Sequence, residues 1–192
     1  MERDYTTLVE KLKSKSYDVY EEPYKLNIVG IRKKKPKIKD PEELNIDGAN
    51  PHNLFLDELV VFFKNDSGLK SIYTYNIATV PDTHYVKKGK EYAILAPNQY
   101  KNAWSICESH DLYKCLGQNQ DIEVLKINEK KEKTQGDFSI KIHKGNKYQL
   151  IGNWSEACQV FKREKDFDEF MSFCYMHQFK HENKFTYTLI EE

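Results

Sequence analysis

The chain has little that places a protein quickly. Across 192 residues it carries eight glycines, six prolines, four cysteines and three methionines, and no excess of either charge. Thirty basic and thirty acidic residues cancel, which argues against a general electrostatic footprint for nucleic acid. The cysteines Cys107, Cys115, Cys158 and Cys174 form no CxxC pair and no dense framework, so a reducing compartment is expected. The spacing leaves a Cys107–Cys115 bridge open. No apolar run approaches the length of a membrane span; the longest are fragments such as LVVFF at 59–63. The N-terminal stretch MERDYTTLVEKLKSK is charged throughout and has no apolar signal region, so synthesis in the cytoplasm is expected. Gly-rich phosphate loops, HExxH and GxSxG are absent.

What the chain does have is aromatic mass: thirteen Tyr and ten Phe, enough to build a core although only 39% of the residues are hydrophobic. Tyr5, Leu8, Val9 and Leu12 recur at helical spacing and predict a short amphipathic helix. YKLNIVGIR (24–32) alternates and reads as a strand, and RKKKPKIKD, starting at Arg32, reads as a basic solvated loop. From Leu54 onwards short strands and turns follow one another: LFLDELVVFF, SIYTYNIATV, Tyr92 to Leu95, IEVLKI, FSIKIH and KFTYTLI. Residues 100–118 are ambiguous, with a short helix expected over 111–116, and 128–136 reads as a charged loop. Phe167, Phe170, Met171 and Cys174 predict a helix capped by Asp166. The fold expected is mainly β with a few helices, a β-rich α+β sandwich or barrel. Residues 1–54 form an N-terminal extension and residues 55–192 the main domain.

The most informative stretch is 140–161, IKIHKGNKYQLIGNWSEACQVF. His143 ends an alternating strand and Cys158 follows on a loop before a helix. A neutral imidazole takes the proton of a thiol, and the thiolate attacks a carbonyl. Ser155 is placed to hold the imidazole or line the thiol pocket. Ala157 is small enough for backbone to approach a substrate, and its N–H and that of Cys158 are candidates for an oxyanion hole. A cysteine before a helix more often serves as a small buried apolar group, and a strand-end histidine as a satisfied polar one. Cys174, His177 and His181 share a helical stripe, but Cys174 continues the core stripe and no fourth ligand is evident, so no metal and no cofactor are expected. Asp57 and Glu58 are adjacent on a strand and point to opposite faces, a poor acid–base pair.

The same stretch resembles the L,D-transpeptidase (YkuD-type) catalytic domain. That family carries an Ile-His-Gly motif, an Ile-Gly, then Ser-x-Gly-Cys and a helix. Here Ile142-His143-Lys144-Gly145, Ile151-Gly152 and Ser155-Glu156-Ala157-Cys158 stand in those places. Thr79-Val80-Pro81-Asp82-Thr83-His84-Tyr85-Val86 is similar to the family's Thr-Pro-x-Gly hairpin. The likeness spans roughly residues 55–190. Lys144 is inserted between His and Gly, Ala157 replaces a Gly, Gln159 stands where an aliphatic is common, and Val160 stands where the family has an Arg. The layout looks most like divergent phage-encoded members. The resemblance implies chemistry on peptidoglycan stem peptides through a thioacyl-enzyme, with Cys158 as nucleophile and His143 as base. Trp154, Gly145, Ala157, Tyr85 and His110 are then candidates for the substrate groove. Partners would be peptidoglycan peptides and phage virion or lysis components, with action at the cell wall after lysis or within a virion. The alternative is a catalytically silent module of the same kind that binds wall or serves a structural role.

Overall fold

A computed structural model of the chain describes residues 4–33, 55–80, 92–109, 112–127, 132–145 and 157–192. The N-terminal helix α1, Tyr5–Ser14, starts where Asp4 accepts a hydrogen bond from the Thr7 backbone N–H and buries Leu8, Val9 and Leu12. The strands then follow as β1 (Asn27–Arg32), β2 (Asp57–Lys64), β3 (Lys70–Ala78), β4 (Tyr92–Leu95), β5 (Asn98–Ser109), β6 (Tyr113–Gln118), β7 (Ile122–Ile127), β8 (Lys133–Gly136), β9 (Lys141–Lys144) and β10 (Gln159–Phe161). A second helix α2, Glu164–Lys180, and the last strand β11, Phe185–Glu191, complete the described elements.

Eight strands close into a barrel in the order β1-β11-β5-β6-β9-β10-β3-β2, and β4, β7 and β8 form a separate three-stranded sheet. The mainly β, barrel-cored α+β architecture expected from the sequence is therefore what the chain adopts. Two of the barrel contacts are parallel, β1 with β11 and β9 with β10. Closure gives each barrel strand a neighbour on both sides, although β10 meets only Ile77 and Ala78 of β3. β1, read from sequence as part of an N-terminal extension, is a barrel strand paired on both sides, with β2 and with β11.

Alternation sorts the strand residues into two sets. Ile28, Leu59, Val61, Tyr75, Ile77, Trp104, Leu116, Ile142, Phe161, Tyr187 and Leu189 fall in one core cluster, which α2 joins through Phe167, Phe170, Met171 and Cys174. Phe161 stacks near Phe167 and Phe170 at centroid distances of 5.5 and 5.1 Å. Val29, Ile31, Val60, Phe62 and Ile190 form a second cluster with Leu8, Val9 and Leu12, so α1 covers the other face of β1, β2 and β11. Gly30 is required by that packing: a Cβ there would lie 1.8 Å from the Tyr187 hydroxyl oxygen.

Several local expectations change. Residues 133–136, read as part of a charged loop or turn, are strand β8, paired antiparallel with β7. Residues 113–118 are strand β6, not helix, because Tyr113 to Gln118 pair with Ser109 to Trp104 of β5. The long β5 escapes a period-two reading because the β5–β11 register shifts between Phe185 and Tyr187, with Asn102 at φ 55°. Asp166 does not cap α2: the cap position is Arg163, which makes no side-chain cap bond, and Asp166 sits in the first turn paired with Arg163 at 2.8 Å.

Arg32 does not belong to a solvated loop either. Its guanidinium is buried and donates from Nε to Thr79 Oγ1 (2.9 Å) and from Nη2 to the carbonyls of Thr79 and Leu95 (both 3.0 Å). The Thr79 hydroxyl donates in turn to Asp57 at 2.7 Å, and Asp57 also accepts the backbone N–H groups of Thr79 (2.9 Å) and Lys33 (3.0 Å). A fully buried carboxylate and a buried guanidinium thus share one threonine and bind together the ends of β1, β2, β3 and β4. Removing the carboxylate strands three donors, while Arg32 keeps Thr79, the Leu95 carbonyl and its ion pair with Glu191 at 3.3 Å. Asp57→Ala is expected to lower unfolding free energy by about 3–5 kcal/mol in urea titration; a change within about 0.5 kcal/mol would show that the network carries no stability.

Candidate functional site

β9 and β10 bring the two chemically reactive residues near each other. The parallel register sets Gln159 beside Ile142 and Val160 beside His143. The preceding position sets Cys158 beside Lys141, and the Lys141 backbone N–H donates to Cys158 Sγ at 3.3 Å. Paired residues point the same way, so Val160 and His143 share the face opposite Gln159 and Ile142, and Cys158, just before β10, packs against the cluster that holds Val160. Strand spacing and rise put the Cα atoms of Cys158 and His143 roughly 8 Å apart, a gap that a thiol and an imidazole directed to the same side can bridge.

The His143 ring is held by its own strand. Nδ1 lies 2.7 Å from the Lys144 carbonyl oxygen, which can only accept, so Nδ1 carries the proton. In the neutral ring Nε2 is then the unprotonated nitrogen. The Lys144 carbonyl thereby fixes the orientation of the ring. The amide N–H aimed at Cys158 Sγ stabilises negative charge on sulfur. Both side chains are half-buried.

Gln159 is the residue that sequence reading passed over. It is fully buried, accepts the Tyr187 hydroxyl at 2.7 Å and donates to the Ala157 carbonyl at 2.9 Å. The barrel interior thereby grips the backbone on both sides of Cys158. The only signal in the sequence was a polar residue where an aliphatic was expected.

The other candidate residues divide. Ala157 is buried in the core cluster, with its carbonyl held by Gln159, so its small size serves packing rather than an opening toward a ligand. Gly145 donates its N–H to the Phe161 carbonyl at 2.9 Å, and a Cβ there would sit 2.9 Å from that oxygen, so the glycine is needed for close backbone approach. Val160 packs with Phe55 and Ala78 in a small apolar cluster that Cys158 touches. Ser155, Trp154, Tyr85 and His110 lie outside the described residues. Lys144, the inserted residue, forms an ion pair with Glu164 and places its ammonium 4.8 Å from the centre of the Tyr113 ring.

No protein-family model matches this chain, and no curated protein or solved structure matches it.

The competing stripe on α2 is used for packing. His177 is buried, its Nδ1 accepts the Leu26 N–H at 3.0 Å, and its Nε2 donates to the Lys184 carbonyl at 3.2 Å. His181 Nε2 donates to the Pro23 carbonyl at 2.9 Å. Cys174 is fully buried, and burial holds its thiol well above the ordinary range. Among the described residues no group of three or more His, Cys, Asp and Glu is arranged to hold a metal ion. Burial, helped by His181, lowers the His177 pKa from 6.5 to about 4. The unfolded chain therefore takes up this proton at a higher pH than the folded one. The stability this group contributes is complete above about pH 6.5 and is lost as pH falls towards 4, amounting to about 3 kcal/mol. In His177→Asn, Oδ1 replaces Nδ1 as acceptor for Leu26. Urea midpoints at pH 7 and 4.5 should differ less in this variant than in the wild type; equal pH dependence in both would exclude His177 as the source.

Proposed function

We propose that this chain is a cysteine-dependent hydrolase of peptidoglycan stem peptides, of the L,D-transpeptidase (YkuD-type) kind, acting as an L,D-carboxypeptidase or endopeptidase. The observation that carries the reading is the β9–β10 register, which puts His143 on one strand and Cys158 immediately before its parallel neighbour, with the His143 ring oriented through Nδ1 by the Lys144 carbonyl. The motif resemblance over 140–161 supplies the substrate class.

In the reaction, His143 Nε2 removes the Cys158 thiol proton and the sulfur attacks the carbonyl carbon of the L-centre joined to a D-amino acid. The imidazolium then protonates the departing amine as the tetrahedral intermediate collapses to a thioester. Water, activated by the same Nε2, releases the acid and restores the thiol. Hydrolysis is favoured over cross-linking because Val160, where the family carries an Arg, packs with Phe55 and Ala78 and offers no charge to hold an acceptor peptide. Water needs no binding site of its own. For a phage component acting at the wall after lysis or within a virion, cleavage is also the useful outcome.

Incubation with purified muropeptides, read by mass spectrometry, is expected to show stem-peptide cleavage and a thioacyl adduct on the peptide containing Cys158. Cys158→Ala should abolish turnover, and His143→Ala should lower it by about 10²–10⁴-fold. Full activity in Cys158→Ala would sink the assigned nucleophile. Wall binding by a well-folded wild type with no change in muropeptide mass would instead establish the silent binding module.

A further inference from the structure

Two thiols that the proposed chemistry does not use face each other one strand away from it. Cys107 of β5 and Cys115 of β6 are register partners, and their sulfurs lie 3.7 Å apart as free thiols. Directly opposed residues on antiparallel strands have Cα atoms about 4.5–5.5 Å apart, inside the range a disulfide requires. Bridging therefore needs side-chain rotation, with no movement of the strands. The neighbouring Gly117 provides the room: Cys107 Sγ lies 2.4 Å from where a Cβ on Gly117 would stand, so any larger residue would displace that thiol. The β6–β9 register, Gly117 with Lys141 and Leu116 with Ile142, sets Cys115 at the next position beside His143.

We propose that Cys107 and Cys115 are a reversible dithiol–disulfide site that reacts with small disulfide oxidants such as oxidised glutathione and staples the β5–β6 hairpin beside the strand carrying His143. The two thiols have different parts. Cys107 is half-buried and meets the oxidant; Cys115 is fully buried and resolves. The Cys107 thiolate attacks the oxidant's disulfide, forms a mixed disulfide and expels one thiolate. Cys115 then loses its proton and attacks the Cys107 sulfur, expelling the second. Two protein thiols become one disulfide, and one oxidant disulfide becomes two thiols. Burial and the adjacent Cys107 push the Cys115 thiol up to about 12, which makes the second step the slow one and lets the mixed disulfide accumulate first. This site stands on the hairpin geometry and does not depend on the peptidase reading.

The test is treatment of the folded protein with oxidised glutathione at pH 8, with intact-mass and non-reduced peptide mapping over time. Expected is a glutathione adduct on Cys107 that decays to a species two hydrogens lighter than the starting protein, containing a peptide pair linked through Cys107 and Cys115. A dithiol reductant should restore the starting mass. Cys115→Ser should stop at the Cys107 adduct, and Cys158→Ala should form the bridge as the wild type does. A wild-type adduct on Cys107 that never resolves, or a linkage that disappears in Cys158→Ala, would overturn the proposal.

Discussion

The structure depends on a three-residue strand. β10 closes the barrel by pairing in parallel with β9 and antiparallel with β3, and only two residues of β3, Ala78 and Ile77, meet it. So short a ladder supplies few hydrogen bonds, and what fixes it is the alternation of its side chains. Phe161 inserts among Tyr75, Phe167 and Phe170, while Gln159 is held from inside by the Tyr187 hydroxyl. A one-residue slip would drive Gln159 and Phe161 out of the core and Cys158 into it. The core thus sets the register, and the register sets Cys158 next to the strand that carries His143.

The two faces of the barrel wall consequently carry different tasks. On the β1–β2–β11 side both faces are buried, the outer one under α1, and the buried Arg32–Thr79–Asp57 network fixes the strand ends. Along β5, β6, β9 and β10 the interior-facing residues pack, and the other face carries the half-buried Cys107, Lys141 and His143 beside the fully buried Cys115 and Val160. His143 is held on β9, and Cys158 is tied to the barrel wall at the entry to β10 by the Lys141 N–H.

Much of the fold was legible because its strands read as alternating or continuous apolar segments: β1, β4 and β7 lie within the segments expected to be strands, and β2, β3 and β11 overrun theirs by one residue. The pattern failed where geometry interrupts it. Asn102 at the bulge breaks the alternation of β5, and β6, with Gly117 and two half-polar faces, shows no period at all. β10 is too short to display one. Arg32 sat at the head of a basic run, and nothing local reveals that Thr79 and Asp57, far along the chain, would enclose it. Cys158 and His143 stood out as residue types, but their proximity is a property of strand register, which a sequence of this kind does not display. The roles of Gln159 and of the Lys144 carbonyl are likewise tertiary facts.

The central claim is that His143 acts on the Cys158 thiol, and alkylation reads that directly. The rate of Cys158 carboxymethylation at pH 7, followed by peptide mass so that the other three cysteines do not interfere, is measured for the wild type and for His143→Ala. An unassisted thiol is only a few per cent thiolate at that pH, so removing an imidazole that accepts its proton should slow the reaction by about tenfold or more. Equal rates in two equally folded proteins would contradict the pairing of Cys158 with His143.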